Sequence, residues 1–180
     1  MSFNQNVAAI DVGTSKIVAI VGKKDELGRI KVLGYGEAPS KGVAHGSVQD
    51  VADAASAIRD AVRQCQQMSG IQFRQVFVGI SGQNIRTATS AHSKYIANNV
   101  ITQDDVDQLT QEVYGLSMEP GEEIIHVIPQ SYTVDNGNVG LSPVGFPGKK
   151  LVGNFFVVFG NATSSRIIKQ AVLNANLSIV

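Results

Sequence analysis

The chain has 180 residues, of which 43% are hydrophobic, and this is enough apolar side chain to form the core of one domain or of two small ones. Lys and Arg together number 15, as do Asp and Glu, so the formal net charge is +0 and no overall field attracts nucleic acid or an anionic membrane. The single cysteine, Cys65, excludes an internal disulfide and favours a reducing compartment.

The start of the chain bears on where the protein is located, and its end bears on whether the sequence is truncated. The first residues, MSFNQNVAAID, contain no basic segment followed by a long apolar one, and no stretch approaches the roughly 20 apolar residues that cross a bilayer. We therefore expect a cytoplasmic protein. The last residues, LSIV, are typical of the start of a strand, and no turn follows them, so we expect a truncated sequence.

Three short apolar runs rich in β-branched residues open the chain, and they predict an antiparallel meander. These runs cover 7–12, 17–22 and 30–35. Ser47 and Asp50 resemble a capping box, and apolar residues then recur every three or four positions up to Cys65, which predicts a helix. The apolar run 76–80 is predicted to be a strand parallel to its neighbour, because a helical crossover joins the two.

The middle of the chain has a different composition, and we interpret 83–159 as an inserted unit of strand, helix, strand and strand. Residues 86–93 alternate small and polar side chains, a pattern typical of an edge or half-exposed strand. Thr102 and Asp105 mark a second helix start.

A long strand at 123–135 is interrupted by Pro129, which lacks the N–H group of a strand ladder and therefore predicts a bulge or an edge. The segment 136–150 is interpreted as a loop and 151–160 as a strand. A helix at 164–176 is predicted to return the chain to the first unit.

The turn between the first two strands combines residues that suit phosphate binding. Successive backbone N–H groups in such a turn collect partial positive charge, and Gly13 permits close approach of a ligand to the backbone. Thr14 and Ser15 add hydroxyl groups that reach phosphate oxygens. Asp11 would repel a phosphate directly, so we expect it to hold magnesium through water. Lys16 points either to the ligand or to solvent.

The position of this turn in the chain favours a binding site over an ordinary hairpin. It lies between the first two strands of a ββαβ pattern at the start of the chain, and there it resembles the phosphate-1 loop of the actin, Hsp70 and sugar-kinase ATPase superfamily. Within that superfamily the sequence resembles the FtsA family of bacterial cell-division proteins. The resemblance is carried by IDVGTSKIVAIVG, SKGVAHGSVQDV, VFVGISGQNI, ITQDDVDQL and IIHVIPQSYTVD.

The resemblance implies a mixed α/β fold of two parts. An actin-like, ribonuclease-H-type subdomain 1A is expected at 1–82 and 160–180, with a strand-helix-strand-strand, SHS2-like subdomain 1C inserted at 83–159. It also implies ATP and magnesium as cofactors of the β-turn, no catalytic residue in this chain, and at most a weak ATPase in the full-length protein. We expect weak nucleotide affinity here, because half of the cleft walls belong to the rest of the molecule.

The partners implied by the resemblance lie on two parts of the full-length protein. FtsZ and the membrane are expected to bind its C-terminal half, through a tail site and an amphipathic helix, at the inner face of the cell membrane where division occurs. Self-assembly and later division proteins are expected to use 1C. Three alternatives remain open at this point: a pilus-assembly adaptor similar to PilM, a sugar or small-acid kinase, and a plain protein-interaction module.

Overall fold

The computed structural model describes residues 6–79 and 85–180. Its elements in chain order are β1 (Asn6–Val12), β2 (Lys16–Lys24), β3 (Ile30–Pro39), β4 (Val43–Ala44), β5 (Ser47–Val48), α1 (Val51–Ser69), β6 (Gln75–Gly79), β7 (Arg86–Tyr95), α2 (Gln103–Tyr114), β8 (Glu122–Val134), β9 (Gly137–Gly140), β10 (Lys150–Asn161), α3 (Ala162–Asn174) and β11 (Ser178–Ile179).

The chain folds into two compact units. The first unit is the described part of Met1–Gln83 together with Thr163–Val180, and the second unit is the described part of Asn84–Ala162. The predicted boundary between 82 and 83 falls outside the described residues. The predicted boundary between 159 and 160 lies inside β10, shortly before the second unit ends.

The first unit is built on a five-stranded sheet with the order β11-β6-β1-β2-β3. The first three strands of the chain pair antiparallel, which confirms the predicted meander. Strand β6 pairs parallel with β1, with Ala9 opposite Phe77 and Asp11 opposite Gly79, so the predicted parallel return after the helix is also confirmed. The last predicted residue of that strand, Ile80, lies outside the described residues.

The core of the first unit lies on one face of this sheet. Ala8, Ile10 and Val12 alternate with more exposed residues along β1, as expected for a strand with one buried face. Helices α1 and α3 contribute to the same buried cluster, α1 through residues such as Ile58 and α3 through residues such as Val172. The opposite face of β1 therefore carries Val7, Ala9 and Asp11.

Cys65 is fully buried in this cluster, as its place on the apolar face of the helix predicted. Burial raises the pKa of its thiol, although a hydrogen bond with the Val21 main chain opposes that effect. A thiol of this kind packs as a small apolar side chain.

The start of α1 corrects one prediction. Ser47 is not the N-cap residue, because it belongs to the short hairpin of β4 and β5. The turn of that hairpin is formed by His45 and Gly46, which have φ values of 51° and 74°. Asp50 is the N-cap residue, and its carboxylate accepts a hydrogen bond from the Asp53 amide at 2.9 Å.

The second unit is a four-stranded antiparallel sheet with the order β7-β10-β8-β9. Strand β7 lies at its edge, as predicted from its small and polar residues. Helix α2 begins after Thr102, which forms a reciprocal capping box with Asp105, and this prediction is confirmed. Leu109 and Val113 of the helix are fully buried together with Phe155 of β10.

Strand β8 confirms the predicted effect of Pro129. Its register with β10 shifts between the pair Asn154 and Ser131 and the pair Phe155 and Pro129, which leaves Gln130 as the extra residue of a bulge. The bulge accommodates a residue that cannot donate to the ladder.

The loop predicted at 136–150 is wrong in its first part, where β9 forms a hairpin with β8. Asp135 and Asn136 make the turn, with φ values of 46° and 72°. Asp and Asn tolerate this left-handed conformation better than most residues, and two such residues in succession match the twist of a tight hairpin. This signal was present in the sequence.

Candidate functional site

The candidate site is the turn that joins β1 to β2. The Gly13 amide donates to the Lys16 carbonyl oxygen at 3.2 Å, which closes the turn. A Cβ atom on residue 13 would come within 2.8 Å of that same oxygen. Glycine is therefore required here for close approach of the two strands, and the Gly13 amide is already used by the turn.

Thr14 and Ser15 form the exposed tip of the turn. Thr14 Oγ1 accepts a hydrogen bond from the Gly46 amide at 3.0 Å, and the Ser15 carbonyl accepts one from the Ser40 amide at 3.1 Å. Within 6–79 and 85–180, the amides of Thr14 and Ser15 donate no hydrogen bond. Two neighbouring N–H groups and two hydroxyl protons are thus left for an anion.

Asp11 lies on the face of the sheet that α1 and α3 do not cover, two residues before the turn. Its carboxylate is exposed, and it lies beside Gly79 of β6, where a Cβ atom would be 3.4 Å from Oδ1. On the other side, its neighbour across the β1–β2 pairing is Val18. Because neither neighbour carries a charge, the carboxylate oxygens remain available to the water shell of a divalent cation.

Lys16 belongs to a small charged group on the same face. Its Nζ lies 3.2 Å from Oε2 of Glu37, and the same carboxylate oxygen accepts a hydrogen bond from the Tyr35 hydroxyl. The hydrogen bond to Glu37 raises the pKa of Lys16, while the bonds from Tyr35 and Lys16 lower the pKa of Glu37. Lys16 would have to leave this exposed ion pair to reach a phosphate.

Sequence reasoning missed the support that holds the turn. Ser40 precedes the β4–β5 hairpin and Gly46 lies in the turn of that hairpin, and the amides of both residues donate to the β1–β2 turn. The His-Gly pair between two short apolar stretches was the available signal, since both of its residues take positive φ.

The described residues contain no group of three or more His, Cys, Asp or Glu side chains that could together hold a metal ion. None of the helices in the described ranges has the length and apolarity needed to span a bilayer.

Comparison with known proteins gives a consistent result along the chain. A family model described as "SHS2 domain inserted in FTSA" matches residues 82–159. The chain is 28% identical over 173 residues to the cell division protein FtsA of Pseudomonas aeruginosa, covering 96% of this chain and 42% of that protein. It is 27% identical over 171 residues to FtsA of Neisseria meningitidis, covering 95% of this chain and 41% of that protein.

The FtsA protein of Escherichia coli strain K12 is 25% identical over 173 residues, covering 96% of this chain and 41% of its own length. The chain thus spans less than half of the length of these relatives. Among solved structures, one of the "PilM-PilN type IV pilus biogenesis complex" aligns with a TM-score of 0.64 and 14% identity, over 97% of this chain and 46% of that one. This likeness shows the fold alone.

The expected fold class, a mixed α/β structure with an SHS2-type unit, is confirmed by the family match and by the aligned structure. The PilM alternative has only this likeness of fold, whereas the relatives found by sequence extend over nearly the whole chain and carry one name. Residues 82–159 thus match the SHS2 domain that is inserted in FtsA, and nearly the whole chain is similar to cell division proteins named FtsA.

Proposed function

We propose that this chain is the part of an actin-like, ATP-binding cytoskeletal adaptor that receives the phosphates of the nucleotide. The observation that carries the proposal is the β1–β2 turn, where the amides of Thr14 and Ser15 donate no hydrogen bond among the described residues and Asp11 Oδ2 lies 4.0 Å from the position that a Cβ atom on Gly13 would take. A group of donors next to an anion suits a ligand that brings both phosphate oxygens and magnesium.

Each residue of the turn has a distinct part in this proposal. Thr14 and Ser15 donate to phosphate oxygens, and Gly13 keeps the turn closed against Lys16. Asp11 accepts hydrogen bonds from the waters around magnesium, which supplies the positive charge between the carboxylate and the phosphates. Lys16 is a secondary candidate, since it would exchange one exposed ion pair, with Glu37, for another.

In the whole protein, we propose that nucleotide binding supports self-assembly at the cytoplasmic side of the membrane where the cell divides. The unit at 83–159, as 1C, would contact neighbouring copies and later division proteins. FtsZ and the membrane would bind the remaining length of the protein. The names of the relatives support the division role, and the share of the relatives that this chain spans leaves room for those further parts.

Titration of ATP into the full-length protein tests the site, with binding measured by calorimetry in magnesium and again in EDTA. We expect Asp11→Asn to weaken binding about tenfold or more in magnesium, because the carboxylate acts through the metal. In EDTA the same variant should bind ATP as well as the unmodified protein or better, since one negative charge has been removed.

Glu26→Gln is the matched control, because this exposed residue lies in the β2–β3 connection at the other end of β2 and loses the same charge. Equal affinities of the Asp11→Asn and Glu26→Gln proteins in magnesium would remove Asp11 from the site. Normal ATP binding by a Thr14→Val variant would show that the turn does not belong to the binding site either.

A further inference from the structure

A cavity lies in the first unit, at the end of the parallel strands that is far from Asp11. Its volume is about 570 Å³, and it is bounded by α1, by the α1–β6 connection and by the α3–β11 connection. Arg74 directly precedes β6, whereas Gly79, the partner of Asp11, ends that strand. The cavity and the candidate nucleotide site are therefore at opposite ends of the parallel strands.

Three arginine residues line this cavity, Arg59, Arg63 and Arg74, and no acidic residue is among the described residues that line it. The whole chain is neutral, so this is a local concentration of positive charge. It is brought together by tertiary structure, because Arg59 and Arg63 lie one turn apart on α1 and Arg74 follows that helix.

The three arginines differ in how much of their hydrogen-bonding capacity is used. Arg59 donates to the Asn174 carbonyl at 2.8 Å, which anchors it to the end of α3. Arg63 pairs with Asp60 at 2.9 Å, but both side chains are largely exposed, so this pair is easily exchanged. The Arg74 guanidinium has no ion pair with any described residue.

The floor of the cavity is apolar. Val62 and Leu177 are each only 6% exposed, and the half-buried Phe73 forms part of the wall. Gln66 donates to the Phe73 carbonyl at 3.0 Å and fixes the connection between α1 and β6. The cavity thus combines a fixed apolar base with a cationic rim.

We propose that this cavity binds an acidic peptide segment of a partner protein. Carboxylates of the segment pair with Arg63 and Arg74, whose fork of N–H groups matches two carboxylate oxygens, and an apolar side chain between them rests on Val62 and Leu177. The volume falls within the range of about 300–1,000 Å³ that is common for ligand sites. A bare phosphate would leave the apolar floor unused.

Fluorescence anisotropy with a labelled peptide tests the proposal on the 180-residue chain. The probe is Glu-Asp-Leu-Glu-Asp, and Gln-Asn-Leu-Gln-Asn is its uncharged equivalent. We expect only the acidic peptide to bind, and replacing both rim residues, Arg63→Gln with Arg74→Gln, should weaken binding about tenfold or more, since charge-assisted hydrogen bonds are lost. Arg63→Lys with Arg74→Lys should give an intermediate loss, because the charge remains without the fork.

The matched control is Arg29→Gln with Lys31→Gln, which removes two exposed charges near the β2–β3 connection and should leave peptide affinity within about twofold. Equal losses of peptide affinity in the two double variants would overturn the proposal, because they would show that the peptide is attracted by the positive charges of the protein in general. It is also overturned if the acidic peptide binds no better than the amide peptide. The proposal is also overturned if pyrophosphate or phosphatidylglycerol vesicles bind in place of the peptide and this binding requires Arg63 and Arg74.

Discussion

The amide of Gly46 donates a hydrogen bond to Thr14 Oγ1 at 3.0 Å, although 32 residues separate the two in sequence. The bond joins the tip of the β1–β2 turn to the turn of the β4–β5 hairpin. Thr14 therefore uses one lone pair to hold a neighbouring hairpin and keeps its hydroxyl proton for another acceptor. The conformation of the candidate site depends on a segment that contributes no proposed ligand atom.

Replacing Thr14 tests this link directly. In Thr14→Val the side chain keeps its shape but loses its acceptor, so the Gly46 amide should exchange its hydrogen about 2- to 12-fold faster, as expected for the loss of one ordinary hydrogen bond. Thr14→Ser retains the hydroxyl and serves as the control. Unchanged exchange at Gly46 in the valine variant, measured by NMR, would show that the bond does not form in solution.

The contact between Gly36 of β3 and helix α1 gives a second prediction. A Cβ atom on residue 36 would lie 2.1 Å from the Ala61 carbonyl oxygen and 2.6 Å from the Cys65 nitrogen, both of which are backbone atoms. Because a helix backbone cannot move aside locally, we expect Gly36→Ala to lower the free energy of unfolding by about 3 kcal/mol or more.

Gly70→Ala is the comparison for this experiment. Gly70 caps α1 with a φ of 69°, and apart from its own residue and its two chain neighbours no described atom lies within 4 Å of the position that its Cβ would take. Gly70→Ala should therefore lower the free energy of unfolding only by the cost of a left-handed backbone at a residue with a Cβ atom, roughly 1–2 kcal/mol. Urea unfolding followed by circular dichroism measures both variants, and the prediction fails if Gly36→Ala is the milder of the two.

Asp105 makes the stability of the second unit depend on pH. Its carboxylate accepts a hydrogen bond from the Thr102 hydroxyl at 2.6 Å and lies 2.9 Å from Lys94 Nζ, and these contacts lower its pKa from 3.8 to about 2. A carboxyl group with a lowered pKa stabilises the fold above its unfolded pKa. That stabilisation is lost as the pH falls from about 4 to about 2.

We therefore expect Asp105→Asn to be less stable than the unmodified protein near neutral pH, and the difference to shrink toward pH 2. Thermal unfolding at a series of pH values measures this difference. Asp104→Asn provides the control, since that exposed carboxylate lies in the same first turn of α2 without an ion pair among the described residues. A difference that stays constant with pH would contradict the assigned contacts.

Most secondary structure could be predicted because its signals are local. The alternation along β1, the apolar period of α1 and the Thr102–Asp105 capping box each depend on residues a few positions apart. The two hairpins that were missed, β4–β5 and β8–β9, also had local signals, in the residues that take positive φ at 45–46 and 135–136. The misplaced cap at Ser47 followed from missing the first of them.

The sequence alone determined where most strands and helices form, that the chain is neutral, and which residues at the first turn are suited to phosphate. Only the tertiary structure decided that Gly79 leaves room beside Asp11, that Gly46 holds Thr14, that Lys16 pairs with Glu37, and that three arginines share one cavity. The physical reason is that periodicity and capping act over a few residues, whereas these contacts depend on strand register and on helix packing between distant segments.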